Sequence, residues 1–221
     1  MVEKVLMTTF LRLAALLLVA HFFAGCGSTR QISWQEGATQ EHPWGFYSGS
    51  PVTRWNSDGR SMTILRELRY TDPNGTVWIA PADAVVDGAS IPRALWPFMG
   101  GPFEGKYRNA SVLHDVAYGE QNRPPRECDR MFYHAMRCSG VGPVEAKTMY
   151  YALLRFGRHW KFDIKRAKPL KVDNRLVARA QPRVPRAAPV NEEELLSARD
   201  WIRNAAPSEE QIEQRAAAEL H

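Results

Sequence analysis

The sequence predicts an α+β domain: a β-hairpin and a long loop packed on a three-helix core, then a disordered basic linker and short C-terminal helices. Three observations carry this. The β-rich runs 62–70 and 76–80 flank Asp72-Pro73-Asn74-Gly75, a strong turn sequence. Helix starts and stops then punctuate 109–119, 124–138 and 142–160. Beyond these, the tail divides by charge: Lys165 to Asn191 carries eight basic residues and one acidic, whereas Glu192 to Leu220 carries eight acidic residues and three arginines.

Residues 1–25 read as a signal peptide. Lys4 and Arg12 supply positive charge, and Leu13 to Ala24 is an apolar run broken by His21. Such a run is short of the ~20 residues that a membrane span needs, and it suits a signal-peptide core. The stretch Phe23-Ala24-Gly25-Cys26-Gly27-Ser28 resembles the lipobox of bacterial lipoproteins. That resemblance implies lipidation of Cys26 and a protein held on a bacterial membrane outside the cytoplasm. Gly27, rather than Asp, after the Cys resembles lipoproteins sent to the outer membrane, which implies its periplasmic side. The alternative is ordinary cleavage near Ala24, leaving a free Cys26.

Residues 26–60, rich in Gly, Ser and Trp, read as a tether and lead-in. The domain proper is expected over 61–162. Its hairpin leads into a loop from Gly88 to Gly105 with several glycines and prolines. Asn109 is expected to cap a first helix from Ala110 to Tyr118, ended by Gly119. Pro124-Pro125 opens a second helix to Cys138, stopped by Gly140. Gly142-Pro143 opens a third that reaches Trp160, with Ala146, Met149, Tyr150, Leu153, Phe156 and Trp160 at helical spacing. Cys128 and Cys138 lie ten residues apart on the second helix, about 15 Å along its axis. That is too far for a disulfide.

Residues 163–191 form the basic, proline-punctuated linker, and 192–221 an acidic tail with short helices outside the domain. Residues 165–221 are therefore expected to be dispensable for folding. Net charge is +5. Export argues against nucleic acid as the partner of the basic stretch; a solvated linker, or contact with anionic lipid headgroups, fits better.

The chemistry concentrates in one cluster. Ser111, His114 and Tyr118 make a stripe on the first helix, with Asp115 beside it. A short connection brings Asp129 of the second helix near His114. A carboxylate on one imidazole nitrogen fixes the tautomer and leaves the other as a base. Asp115 remains free to bind a hard cation with loop carbonyls near Gly100, Gly101 and Gly105. Asp87 and Ser90 flank Gly88 in the loop upstream. Ser90 lacks the Gly-x-Ser-x-Gly setting of a nucleophile. Cys128, His134 and Cys138 lack a matching second pair of zinc ligands. The same cluster also reads as a clasp of hydrogen bonds between helices. An open, apolar-walled cleft at His114 favours chemistry; a sealed His114 favours the clasp.

Several spaced motifs resemble the bacterial and phage family named domain of unknown function 1353. They are Asp87-Gly88-Ala89-Ser90-Ile91-Pro92, His114-Asp115-Val116-Ala117-Tyr118, Arg126 to Phe132, and Met149 to Gly157. The likeness covers 62–160 and carries no activity. A second resemblance is to secreted phospholipases of the A-two type, which place His-Asp-x-x-Tyr on one helix and an Asp on the next. It implies His114 as the base, Asp129 as its orienting partner with Tyr118, and Asp115 as a calcium ligand. Ser111 and Ala117 stand where that family often has disulfide cysteines. The expectation is a membrane-anchored, calcium-assisted esterase acting on phospholipid. Its rivals are a non-enzymatic envelope or phage-derived interaction module, and a cell-wall hydrolase, for which no metal or paired-carboxylate motif exists.

Overall fold

The computed structural model describes residues 42–88, 105–162, 168–172, 175–179 and 189–219. The strands β1 (Phe46–Tyr47), β2 (Val52–Trp55), β3 (Met62–Arg66), β4 (Leu68–Thr71), β5 (Val77–Ala80) and β6 (Val85–Val86) form two antiparallel sheets, ordered β1-β4-β5 and β2-β3-β6. The helices are α1 (Arg108–Glu120), α2 (Pro125–Cys138), α3 (Pro143–Phe156), α4 (Glu192–Ala205) and α5 (Glu209–Ala218). The class is mixed α+β, as the sequence predicts.

The hairpin β4–β5 owes its turn to Asp72. Its Oδ1 accepts from the backbone N–H groups of Asn74 and Thr76, each at 2.9 Å, and its Oδ2 from Trp78 Nε1 at 3.1 Å. The carboxylate thus ties the turn to the indole of the returning strand. The run 62–70, expected as one strand, is two strands in different sheets. Met62, Ile64, Leu68 and Tyr70 are buried and share one parity, but Arg66 between them is exposed, and that gap in the alternation marks the break.

The lead-in is also more structured than expected. Strands β1 and β2 lie within it, Phe46 is buried, and Tyr47 donates its hydroxyl to Ala135 O at 2.8 Å. Aromatic anchors there outweigh the Gly and Ser content.

Helix α1 begins two residues earlier than the Asn109 cap suggests. Tyr107 occupies the N-cap, its ring buried and its carbonyl accepting from Ser111 N at 2.9 Å. Gly119 lies inside the helix, and the left-handed Gln121 (φ 50°) ends it. Helix α2 starts at Pro125 and stops at Cys138 as predicted, with Gly140 in the left-handed region. Helix α3 stops at Phe156, short of Trp160. Gly157 N donates to Leu153 O at 2.8 Å, and a Cβ on Gly157 would lie 2.3 Å from that oxygen. Glycine therefore lets the chain turn back here.

The C-terminal helices overturn the expectation of a dispensable tail. Leu195, Ala198, Ile202, Ile212 and Ala216 are buried in the same core as the hairpin and α1–α3. Both helices pack on α3. The core thus draws on five helices, not three. Their apolar stripes recur at spacings of three and four, and the many acidic residues facing water masked them. Glu213 joins the tail to the domain: Arg126, Arg130 and Tyr150 all donate to its carboxylate, the last at 2.5 Å. Burial pushes its carboxyl up, but these donors win and hold it at about 2.

Within the linker expected to be disordered, β7 (Lys168–Val172) and β8 (Arg175–Arg179) pair antiparallel. Leu170, Val172, Leu176 and Val177 supply strand formers, and Asp173-Asn174 is a turn-type dipeptide.

Candidate functional site

The cluster assembles where α1 packs on α2. Ala110, Leu113 and Ala117 of α1 are buried, as are Cys128, Met131, Phe132 and Ala135 of α2. These contacts fix the angular position of both helices, so His114 and Tyr118, one turn apart, face Asp129. His114 Nε2 lies 3.0 Å from Asp129 Oδ1, and the Tyr118 hydroxyl donates to the same oxygen at 2.5 Å. The three sequence-predicted residues thus converge on one carboxylate oxygen.

An ionised carboxylate only accepts. Oδ1 therefore takes its hydrogen bond from the imidazole Nε2–H, and in the neutral ring the lone pair then lies on Nδ1. Burial, reinforced by the Asp129 charge and by the hydrogen bond to it, pushes the Tyr118 phenol far above its usual range. Tyr118 stays a neutral donor at all physiological pH values. Apolar rings wall the cluster. The His114 ring is 4.7 Å from Phe132 and 4.1 Å from Tyr118, and Trp160 meets Tyr118 edge-on at 4.9 Å. His114 is 1% exposed and Asp129 0%, so the cluster is sealed, the arrangement that favours the clasp, and a base role requires it to open to water and substrate.

Asp115 faces elsewhere. Its Oδ2 accepts from Gly88 N at 2.7 Å, where Gly88 adopts φ 89°, a region that favours glycine. Burial, with the neighbouring Asp87 charge, raises its carboxyl well above the usual range. Asp87 and Asp115 are thus brought within electrostatic reach by the strand-to-loop junction after β6. Among the described residues, no group of three or more His, Cys, Asp or Glu side chains is placed to hold a metal. Ser90, Gly100, Gly101 and Cys26 lie outside the described residues.

The discounted zinc trio points three ways. Cys128 is buried in the core, His134 Nε2 pairs with Glu209 Oε2 at 3.0 Å, and Cys138 Sγ donates to Gly45 O at 3.2 Å. Burial pushes the Cys138 thiol up to about 11.

Sequence reasoning missed His159. It sits just past the Gly157 turn, with Nε2 3.1 Å from Leu153 O and 3.9 Å from Asp129 Oδ2. The signal was the glycine itself: a chain that turns at Gly157 carries His159 and Trp160 back toward α1 and α2. Trp160 Nε1 donates to Arg123 O at 3.0 Å, which pins this return.

Residues 62–153 match the family model described as "Protein of unknown function (DUF1353)". The match runs from β3 into α3 and contains Asp87, His114, Asp115, Tyr118 and Asp129. Two relatives come from Sinorhizobium fredii. The uncharacterized protein y4jT is 39% identical over 124 residues, covering 55% of this chain and 37% of the relative. The uncharacterized protein y4iH is 36% identical over 105 residues, covering 48% of this chain and 44% of the relative. The chain spans less than half the length of these curated relatives. No solved structure matches.

Proposed function

We propose that the chain is a membrane-anchored hydrolase of ester bonds in phospholipid, with His114 as general base. The observation that carries this reading is the shared oxygen: Asp129 Oδ1 takes both the His114 Nε2 contact and the Tyr118 hydroxyl. That leaves Nδ1 to accept a proton from water as the water oxygen attacks the ester carbonyl. On collapse of the tetrahedral adduct the C–O bond breaks, and the proton held on Nδ1 passes to the departing alkoxide. Asp129 and Tyr118 orient the ring, and Phe132 and Trp160 keep bulk water from the cluster.

Asp115 is the residue that would hold calcium, with Asp87 beside it. The Asp115 carboxyl is raised by burial first and then by the Asp87 charge; two such neighbouring carboxyls fit a hard cation in kind, and backbone carbonyls would have to complete the set. Bound calcium would supply positive charge for the developing oxyanion. Lipidation of Cys26 would anchor the protein to the periplasmic side of the outer membrane. Mass spectrometry of the mature N-terminus tests that anchor, and an unmodified Cys26 in membrane fractions contradicts it. Among the described residues, no helix is long and apolar enough to cross a membrane.

Fatty-acid release from phospholipid vesicles by the purified full chain, in calcium and in chelator, tests the activity. Calcium-dependent release is expected.

One observation favours a second reading. The His114 imidazole is 1% exposed, as a clasp between α1 and α2 requires. In that reading the chain is a non-enzymatic interaction module, and no release is seen on any phospholipid.

A further inference from the structure

A cleft of about 280 Å³ opens between the β4–β5 turn and one face of α2. That volume lies near the lower end of small-molecule sites, about 300–1,000 Å³. The hairpin supplies Asp72, Asn74, Thr76 and Trp78. Arg123 enters from the link between α1 and α2. Glu127, Arg130 and His134, at spacings of three and four, line the cleft from one face of α2. The hydrolase reading gives none of these residues a role in the chemistry.

Arg123 is held in place without being consumed. Its guanidinium carbon lies 4.6 Å from the centre of the Trp78 ring, a cation–π stack. The indole is itself fixed, because its Nε1 donates to Asp72 Oδ2 at 3.1 Å. The backbone of Arg123 is fixed as well, its carbonyl accepting from Trp160 Nε1 at 3.0 Å. Stacking occupies one face of the guanidinium and leaves its in-plane N–H donors for other partners. Among the described residues, the nearest carboxylate oxygen is Glu127 Oε2, 3.8 Å from Nη1 and too far for a hydrogen bond.

The rest of the wall is rich in donors. Arg130 directs Nε and Nη2 to Glu213, and its Nη1 is not engaged there. The Asn74 amide and the Thr76 hydroxyl add neutral donors. Of the two acids, Asp72 already accepts from the N–H groups of Asn74 and Thr76 and from Trp78, and these three donors damp its charge. Glu127, with a side chain 53% exposed, can turn into water.

We propose that this cleft is a binding site for a small oxyanion, the phosphate or carboxylate group of a small molecule, with the Arg123 fork as its bidentate anchor. Arg130, Asn74 and Thr76 supply further donors, and the ligand displaces Glu127 from Arg123. The site is independent of whether His114 is a base.

The test titrates the nitrogen-labelled full chain with inorganic phosphate and, separately, with acetate, at constant ionic strength. Resonances of the Arg123 side chain, the Trp78 indole N–H and the Thr76 amide should move and saturate together. Saturation by phosphate alone makes this a phosphate site and by acetate alone a carboxylate site; either result supports the proposal. Arg123→Gln should weaken binding at least about tenfold, the effect of losing a charge-assisted bond. Arg123→Lys keeps the charge but not the fork, should also bind more weakly, and stands in for the Gln variant if that chain fails to fold. Glu127→Gln removes the competing carboxylate at an exposed position and should strengthen binding about two- to fivefold, the range of an exposed ion pair. No saturable shift with either anion overturns the proposal, as do shifts confined to the basic stretch 165–191. Undiminished binding in the Arg123 variants overturns it too, and so does a Glu127→Gln chain that binds no better than the parent.

Discussion

Glu213→Gln probes the joint between the tail and the domain. The wild-type carboxylate is nearly buried and receives Arg126, Arg130 and Tyr150. Glutamine keeps the shape and can still accept from Tyr150, but it removes the charge that faces two guanidiniums. Those guanidiniums are 61% and 39% exposed, so solvent screens each pair toward the surface range of about 0–1 kcal/mol. A stranded, partly buried guanidinium and a lost charge-assisted bond add to this, for about 1–3 kcal/mol in total. For a chain of this size that is a fall in Tm of roughly 2–12 °C. The pH dependence follows from the carboxyl lying at about 2, below its ordinary 4.5. A depressed folded-state value contributes stability that is fully present above 4.5 and is lost as pH falls toward 2. The gap between parent and variant should be full at pH 7 and shrink between pH 4.5 and 2. Thermal melts followed by circular dichroism across that range measure it. A variant as stable as the parent at pH 7, or a gap that does not change with pH, refutes the reasoning.

Truncation after Phe162 removes Leu195, Ile202 and Ile212 from the core, about 5–9 kcal/mol of gross apolar burial, and should abolish or strongly weaken cooperative unfolding. A truncated chain melting within a few degrees of the parent would contradict the docked tail. Gly157→Ala drives a Cβ to 2.3 Å from Leu153 O and should lower stability by about 2–3 kcal/mol, read by denaturant midpoint. An unchanged midpoint would mean the turn relaxes freely. Cys138, with its thiol pushed up from 9 to about 11, should react with a maleimide at pH 8 about 100-fold more slowly than an exposed thiol of ordinary acidity when mass is followed over time. A rate equal to the exposed thiol's would count against that shift.

How far the fold could be read depended on the kind of signal. The hairpin was legible because Asp72 to Gly75 has few alternatives to a turn. Helix α2 was legible at both ends because Pro125 and Gly140 act locally. The end of α3 was not, because Phe156 and Trp160 keep helical spacing across Gly157, and the constraint there is a contact between a missing Cβ and a carbonyl. The strand break near Glu67 carries only a faint signal, the exposed Arg66 at a position where the alternation calls for a buried residue. Helices α4 and α5 are legible as helices, but net charge is a poor guide to where they sit. A narrow stripe of Leu195, Ala198 and Ile202 decides that instead. At the site, helical spacing and one short connection were enough to place His114, Tyr118 and Asp129 together. His159 was out of reach, because its approach to Asp129 depends on the direction of a turn and not on any period in the sequence.

The central claim is that His114 acts as a base rather than a clasp. The most direct measurement pairs fatty-acid release from phospholipid vesicles with a thermal melt, for the parent and His114→Gln, with calcium and with chelator. Glutamine keeps polarity and a donor toward Asp129 but cannot take up a proton near pH 7. The account predicts release by the parent in calcium, a loss on the order of 100-fold in the variant, and a melt that moves little. No release by the parent on any phospholipid, with the variant destabilised by about 1–3 kcal/mol, would contradict it and leave the cluster as a hydrogen-bonded clasp between α1 and α2.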